Sequence, residues 1–333
     1  MDSSPPPPPP PSINFCVLGR KETARGFGKA GTSSDITIYD RKARDAIRTW
    51  VVATGFPDRI QPLFQAINMS EYVIFHVDSL DRFAGEQIIA LDALGKKDGM
   101  LCHTYGVDGD RLESMVRGTV AGGYARVGEA GLAGAVRATG PSAGAVRDGP
   151  PEVVIDHSFD VKGVGTVILG RVTSGMVRRY DKMALQPAGS EVLIKSIQMH
   201  DDPVEEAPCM ARVGLAVKGV RPDEMQRGDI LTAAGAAEPV MVGSDVTLEN
   251  YRPNRFCRTG MAKGQGCMVS IGLQARAATI TGIGESGGGD GGSGTLNLKF
   301  ASPVTCHAGD TAVILRPEAS PVRIAGAGSV VPA

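Results

Sequence analysis

A chain of 333 residues can hold two or three domains with separate cores. Its 35 basic and 36 acidic residues leave a net charge of −1, which argues against a protein that coats nucleic acid through bulk charge, so no DNA partner is expected, although a local RNA contact stays compatible. No apolar run is long enough to span a bilayer, and no CxxC pair occurs among the six cysteines, so neither a membrane partner nor a metal site is expected.

Residues 1–12, MDSSPPPPPPPS, form a proline tract with no basic or apolar signal segment; a stiff, disordered tail and a cytoplasmic location are expected. From residue 13 to 117 the pattern is α/β. Ile13–Leu18 is an apolar strand ending at Gly19, Asp40–Arg48 reads as a charged helix, and Thr49–Thr54 reads as a second strand. Pro57–Met69 reads as a helix opened by proline, followed by strand Tyr72–Val77, helix Ala84–Leu94, strand Met100–Tyr105 and helix Gly109–Val116. Such alternation implies a mostly parallel sheet covered by helices. Residues 118–151, dominated by Gly, Ala and Pro, read as a flexible linker in which a weak helix is possible.

Residues 152–235 show short alternating apolar runs broken by Gly, Pro or Asp, the pattern of a small antiparallel barrel. Residues 240–331 read as a second β domain, with runs MVGSDVTL, GCMVSIGL, RAATITGI, GTLNLKF and DTAVIL. The glycine loop Gly287–Gly294 is expected to be a mobile hairpin tip.

A phosphate-binding loop, GxxxxGK[ST], would follow the first strand. Its backbone N–H groups cradle phosphates, its lysine meets the β and γ oxygens and its hydroxyl binds magnesium. Here the chain reads GRKETARGFGKAGTSSD: Gly28-Lys29 is a fragment, Thr23 stands at the first glycine position and Ala30 replaces the hydroxyl. Ala53–Gln61 has no DxxG, and no NKxD exists; Asp108 stands near the expected guanine-reading strand end. The candidate nucleotide-binding remnant is therefore Gly19, Gly28, Lys29, Thr32 and Asp108. Thr32, Ser33 and Ser34 could hold an anion beside Lys29, or form a polar turn before a short strand.

The segment Val161–Gly175, VKGVGTVILGRVTSG, resembles the second domain of translational GTPases, above all the selenocysteine-specific elongation factor and elongation factor Tu. Lys195–Gln198, Arg212–Gly219 and Arg227-Gly-Asp229 follow in the family's order, and Pro303-Val304, Gly309-Asp310, Arg316-Pro317 and Ile324–Val330 resemble its third domain. With the eroded nucleotide motifs, the chain is similar to an archaeal group of elongation factor Tu-like proteins whose GTPase-like α/β domain is degenerate. The resemblance implies that α/β domain followed by two translation-factor β-barrels, and tRNA, a ribosomal component or a translation factor as partner. No cofactor is expected. GTP and magnesium belong to the alternative of an active GTPase with an atypical site, and a scaffold without RNA is the third reading.

Candidate RNA contacts are Lys162, Arg171, Arg178 and Arg179 in the first barrel. Arg252, Arg255, Arg258 and Lys263 in the second are interleaved with Tyr251 and Phe256, since cations among aromatics suit phosphate contact and base stacking. His157 and His200 are expected as packed or solvated residues, and Asp201-Asp202 with Glu205-Glu206 as a solvated acidic loop. No nucleophile–base pair is apparent, so no catalytic residue is assigned.

Overall fold

Strand β1 (Ser12–Gly19) is the centre of the N-terminal domain. Phe15 and Val17 pack on one face and Cys16 and Leu18 on the other, all at most 3% exposed, so the sheet must be covered on both sides. In the computed structural model, which describes residues 10–141, 147–234, 241–258, 260–285 and 294–331 (the side chains of Thr32 and Glu285 excepted), both covers are present. β1 pairs in parallel with β4 (Ile47–Val52) and β5 (Tyr72–Val77), and β6 (Gly99–His103) and β7 (Ala125–Arg126) continue the parallel sheet. β2 (Lys29–Ser33) and β3 (Thr37–Lys42) add an antiparallel edge, giving the order β2-β3-β4-β1-β5-β6-β7. Helices α1 (Gln61–Asn68), α2 (Arg82–Ala93) and α3 (Gly109–Val116) bury Leu63, Leu91 and Leu112 on the Cys16 face. Helix α4 (Glu129–Ala138) buries Leu132 and Val136 on the opposite face, in the same cluster as Trp50.

Three expectations are corrected. Asp40–Arg48 is not a helix: it is the turn of the β3–β4 hairpin, where Arg41 faces Arg48 and Ala43 N–H donates to the Ala46 carbonyl at 3.0 Å. The run of charges sits at the closed end of the β3–β4 hairpin, and pairing with β4 outweighs local propensity. The helix expected from Pro57 begins at Gln61, and the proline in its first turn is Pro62. The stretch expected as a linker instead folds back onto the α/β domain through a 3-10 turn (Val120–Gly123), β7 and α4. Its few large residues are enough: Tyr124, Leu132 and Val136 are each at most 4% exposed, the last two spaced i, i+4 on one helix face. Residues 142–146, the proline tract 1–9 and most of the glycine loop lie outside the described residues; Ser12, assigned to the tail, already belongs to β1.

The first barrel runs through β8 (Glu152–Val161), β9 (Gly165–Ser174), β10 (Met176–Arg178), β11 (Lys182–Gln186), β12 (Ser190–Met199), β13 (Asp202–Val204), β14 (Glu206–Pro208), β15 (Arg212–Lys218) and β16 (Ile230–Ala233). Among the described residues its ring β11-β16-β8-β9-β15-β12 closes through the β11–β12 pairing. The second barrel comprises β17 (Met241–Pro253), β18 (Gly266–Ile271), β19 (Gln274–Glu285), β20 (Gly294–Cys306), β21 (Thr311–Leu315) and β22 (Ile324–Val331). It closes in the order β17-β20-β19-β18-β21-β22. Closure removes the free strand edges that open sheets expose.

The three units are joined by apolar and polar contacts. Leu273, Val313, Leu315 and Ile324 of the second barrel share one buried cluster with α1, α2 and α3. Glu86, 1% exposed, accepts from Arg323 Nη2 at 2.6 Å and from Arg323 Nε at 3.1 Å. Arg227 of the first barrel donates to Gln65 Oε1 at 2.9 Å and pairs with Asp35 at 2.9 Å. His307 and Glu152, 2.8 Å apart, tie the barrels together.

Candidate functional site

The place for a phosphate cradle is the turn after β1, and the N–H groups of Gly19, Arg20 and Thr23 there are already committed. Gly19 N–H donates to Gln87 Oε1 at 3.0 Å, Arg20 N–H to the His76 carbonyl at 2.7 Å and Thr23 N–H to the Arg20 carbonyl at 3.2 Å. The chain then coils into a 3-10 turn (Lys21–Gly26) whose last N–H groups turn inward, Phe27 N–H to Ala24 O at 3.0 Å and Gly28 N–H to Ala24 O at 3.4 Å. Gly19 has φ +73°, and a Cβ there would collide with the His76 carbonyl. This glycine therefore serves a close backbone approach within the fold. Thr23 Oγ1 lies 2.8 Å from His76 Nδ1, and His76 Nε2 lies 3.1 Å from Glu129 Oε1, so α4 braces the turn through a buried histidine.

Gly28 and Asp108 are committed to the fold as well. A Cβ at Gly28 would stand 2.6 Å from the Asp40 carbonyl oxygen, so this glycine lets β2 lie against β3. Lys29 faces Asp40 in that hairpin rather than closing a loop. Lys21, the first lysine after β1, points to the carbonyls of Thr54 (3.3 Å) and Phe56, and burial pulls its ammonium below the ordinary lysine pKa. Ser33 Oγ lies 3.1 Å from Thr37 Oγ1, and Ser34 Oγ donates to Asp35 Oδ1 at 3.0 Å, so these hydroxyls serve the turn; the Thr32 side chain lies outside the described residues. Asp108 caps α3, accepting from Arg111 N–H at 3.1 Å. Of the groups a triphosphate with magnesium would need, the N–H groups of Gly19, Arg20 and Thr23, the Lys21 ammonium and the Ser33 and Ser34 hydroxyls each have an internal partner.

The two cation sets separate in the same way. Arg171, expected as an RNA contact, is bonded to Glu71 and to the Met69 carbonyl at the domain boundary, where two acceptors of the α/β domain compensate its desolvation. Arg178 pairs with Glu206 at 3.2 Å and Arg179 with Glu205 at 3.2 Å, while Lys162 is exposed at the β8–β9 hairpin. In the acidic loop Asp202 pairs with Lys42, and the neighbouring His200 Nδ1 lies 3.2 Å from Asp40. His157 Nδ1 lies 3.3 Å from Asp156 Oδ1, and no group of three metal-ligating side chains occurs among the described residues.

In the second barrel, Arg252, Arg255, Arg258 and Lys263 are exposed. Tyr251 is not an interleaved aromatic of that surface: at 5% exposure it is a core residue whose hydroxyl points to the Ala325 carbonyl at 3.4 Å. Phe256 is 50% exposed with Arg255 stacked 4.8 Å over its ring. Arg252 and Arg255 line a groove of about 1340 Å³ between the barrel and helices α2 and α3, and Arg82 and Arg117 line the opposite wall. No sequence signal links residues 82 and 117 to 252 and 255; only the docking of the domains brings them together.

Comparison with known proteins agrees with this architecture. Residues 165–232 match the family model of elongation factor Tu domain 2. An uncharacterised protein of Methanocaldococcus jannaschii is 32% identical over 305 residues, covering 91% of this chain and 94% of its own. The selenocysteine-specific elongation factor of the same organism is 32% identical over 193 residues, covering 53% of this chain and 40% of its own. Elongation factor 1-alpha of Archaeoglobus fulgidus is 38% identical over 102 residues, covering 31% of this chain and 24% of its own. The chain thus spans less than half of those two factors. Among solved structures, translation elongation factor SelB of Methanococcus maripaludis, in complex with a GTP analogue, superposes with a TM-score of 0.80 at 18% identity, over 97% of this chain and 80% of that one. An α/β domain with two closed β-barrels, and 32% identity to the Methanocaldococcus jannaschii protein over nearly the whole of both chains, place the chain in that protein's family of archaeal elongation factor Tu-like proteins, related to the selenocysteine-specific elongation factor.

Proposed function

We propose that this protein binds RNA of the translation apparatus, tRNA in the first place, and does so without GTP turnover. The observation that carries the reading is the turn after β1, whose N–H groups donate to Gln87, His76 and Arg20 instead of pointing into an open loop. An anion site needs free donors. With these committed, the α/β domain acts as a fixed support for the two barrels. The RNA contacts are then the exposed cations of the second barrel, Arg252, Arg255, Arg258 and Lys263, together with Lys162 of the first. Kinship with translation factors supports this choice of partner.

The test is a mobility-shift titration with bulk tRNA at several salt concentrations. Binding whose affinity falls with salt, and is lost in the Arg255→Glu/Arg258→Glu protein, is the expected result. Unchanged tRNA affinity in that variant removes the second-barrel patch, and absence of any shift favours a protein partner.

A further inference from the structure

The interdomain groove joins two walls that belong to different domains. One wall is α2, α3 and the turn behind them, with Arg82 and Arg117; the other is the end of β17 and the turn that follows, with Arg252, Arg255 and Phe256. Four guanidinium groups face a single carboxylate among the groove residues, Asp92, and its Oδ1 already accepts from Val120 N–H at 3.0 Å. None of the four arginines forms an ion pair among the described residues. Two rest on aromatic rings instead, Arg82 over Phe83 at 4.6 Å and Arg255 over Phe256 at 4.8 Å. The chain as a whole has a net charge of −1, so this is a local concentration of positive charge.

We infer that this groove holds a single-stranded RNA segment, so that the α/β domain contributes half of the binding surface through Arg82 and Arg117. The inference rests on the RNA-binding reading above and extends it from one barrel to the cleft between domains. At about 1340 Å³ the groove exceeds the roughly 300–1,000 Å³ of ordinary small-molecule pockets, which favours a polymer segment. Guanidinium groups on both walls suit a phosphate backbone running between them. The Phe256 ring, 50% exposed with Arg255 stacked on it, suits the stacking of an unpaired base. Ser329 lines the groove as a further hydrogen-bonding group for a base edge or 2′-hydroxyl, while the side chains of Asn254 and Thr119 are held by the Ile324 and Val116 carbonyls. The groove exists only while the walls are held together, and the Glu86–Arg323 pair lies between them, Glu86 on α2 and Arg323 next to β22.

Fluorescence anisotropy with a labelled single-stranded RNA of about eight nucleotides tests this, using the full chain and two double variants, Arg82→Glu/Arg117→Glu and Arg252→Glu/Arg255→Glu. Both variants are expected to bind at least about tenfold more weakly, each with a shallower salt dependence. Loss in the second variant with unchanged affinity in the first overturns the inference and leaves the barrel-only reading in place. No binding of this RNA by a parent protein that still shifts tRNA overturns the inference alone, and binding of neither RNA overturns both. Phe256→Ala is expected to reduce affinity for an oligonucleotide but not for inorganic polyphosphate; equal loss for the two probes contradicts the stacking role.

Discussion

Arg323 holds Glu86 in a two-pronged ion pair, and its own backbone N–H adds a third bond to the same carboxylate at 2.9 Å. Glu86 sits on α2, Arg323 just before β22, and the guanidinium also donates to the Pro57 carbonyl at 2.7 Å. Removing one partner of a buried pair strands the other charge. Glu86→Ala is therefore expected to destabilise the protein by about 3–5 kcal/mol. Urea denaturation of the variant checks this, and a loss below about 1 kcal/mol would mean that the pair does not fasten the domains.

Gly19 is expected to tolerate no side chain. Its φ of +73° and the His76 carbonyl beside it combine backbone strain with overlap. Gly19→Ala is predicted to cost about 2 kcal/mol or more, from strain of about 1–3 kcal/mol plus the forced shift of β5. Chemical denaturation measures this, and a neutral substitution would contradict the close approach.

Helix α4 is predicted to be part of the α/β core rather than a connector. Leu132→Ala removes a side chain only 4% exposed and should cost about 2–5 kcal/mol, followed through the fluorescence of Trp50, which shares its cluster. A linker residue would give no change.

The barrel–barrel contact should depend on pH. Hydrogen bonds to Asp310 and Glu152 raise the His307 pKa from 6.5 to about 9. A raised pKa means that the protonated form is favoured in the folded state. This stabilisation is complete below about pH 6.5 and is lost as pH rises toward 9. Glu152, although burial pushes its pKa up, is held below the ordinary glutamate value by His307 and Thr173, so its share is present above pH 4.5 and fades as pH falls through its folded pKa. Thermal melting across pH 4–9 should be flatter on the alkaline side in His307→Gln; an unchanged profile would show that His307 does not titrate in this range.

Much of this arrangement was legible in the chain. Apolar runs such as Tyr72–Val77 state their strands outright, and the glycine-punctuated alternation of Val161–Gly175 states the first barrel. The β3–β4 hairpin was not legible, because Asp40–Arg48 resembles an exposed helix until pairing with the sheet is counted. Helix α4 was hidden because two large residues among glycines and alanines look insufficient without the sheet they cover. At the candidate site, the sequence reveals that the phosphate-loop residues are missing, but not that Gln87 and His76 occupy their donors. Arg171 looked like a surface cation because its partner Glu71 is 100 residues away. Nothing in the order of residues brings Arg117 to Arg255.

Calorimetric titration of the full chain with GTP and magnesium tests the central claim most directly, that the turn after β1 offers no phosphate site. The account predicts no saturable heat up to about 1 mM nucleotide, equivalent to binding weaker than about −4.1 kcal/mol. A saturable, magnesium-dependent isotherm in the micromolar range would contradict it.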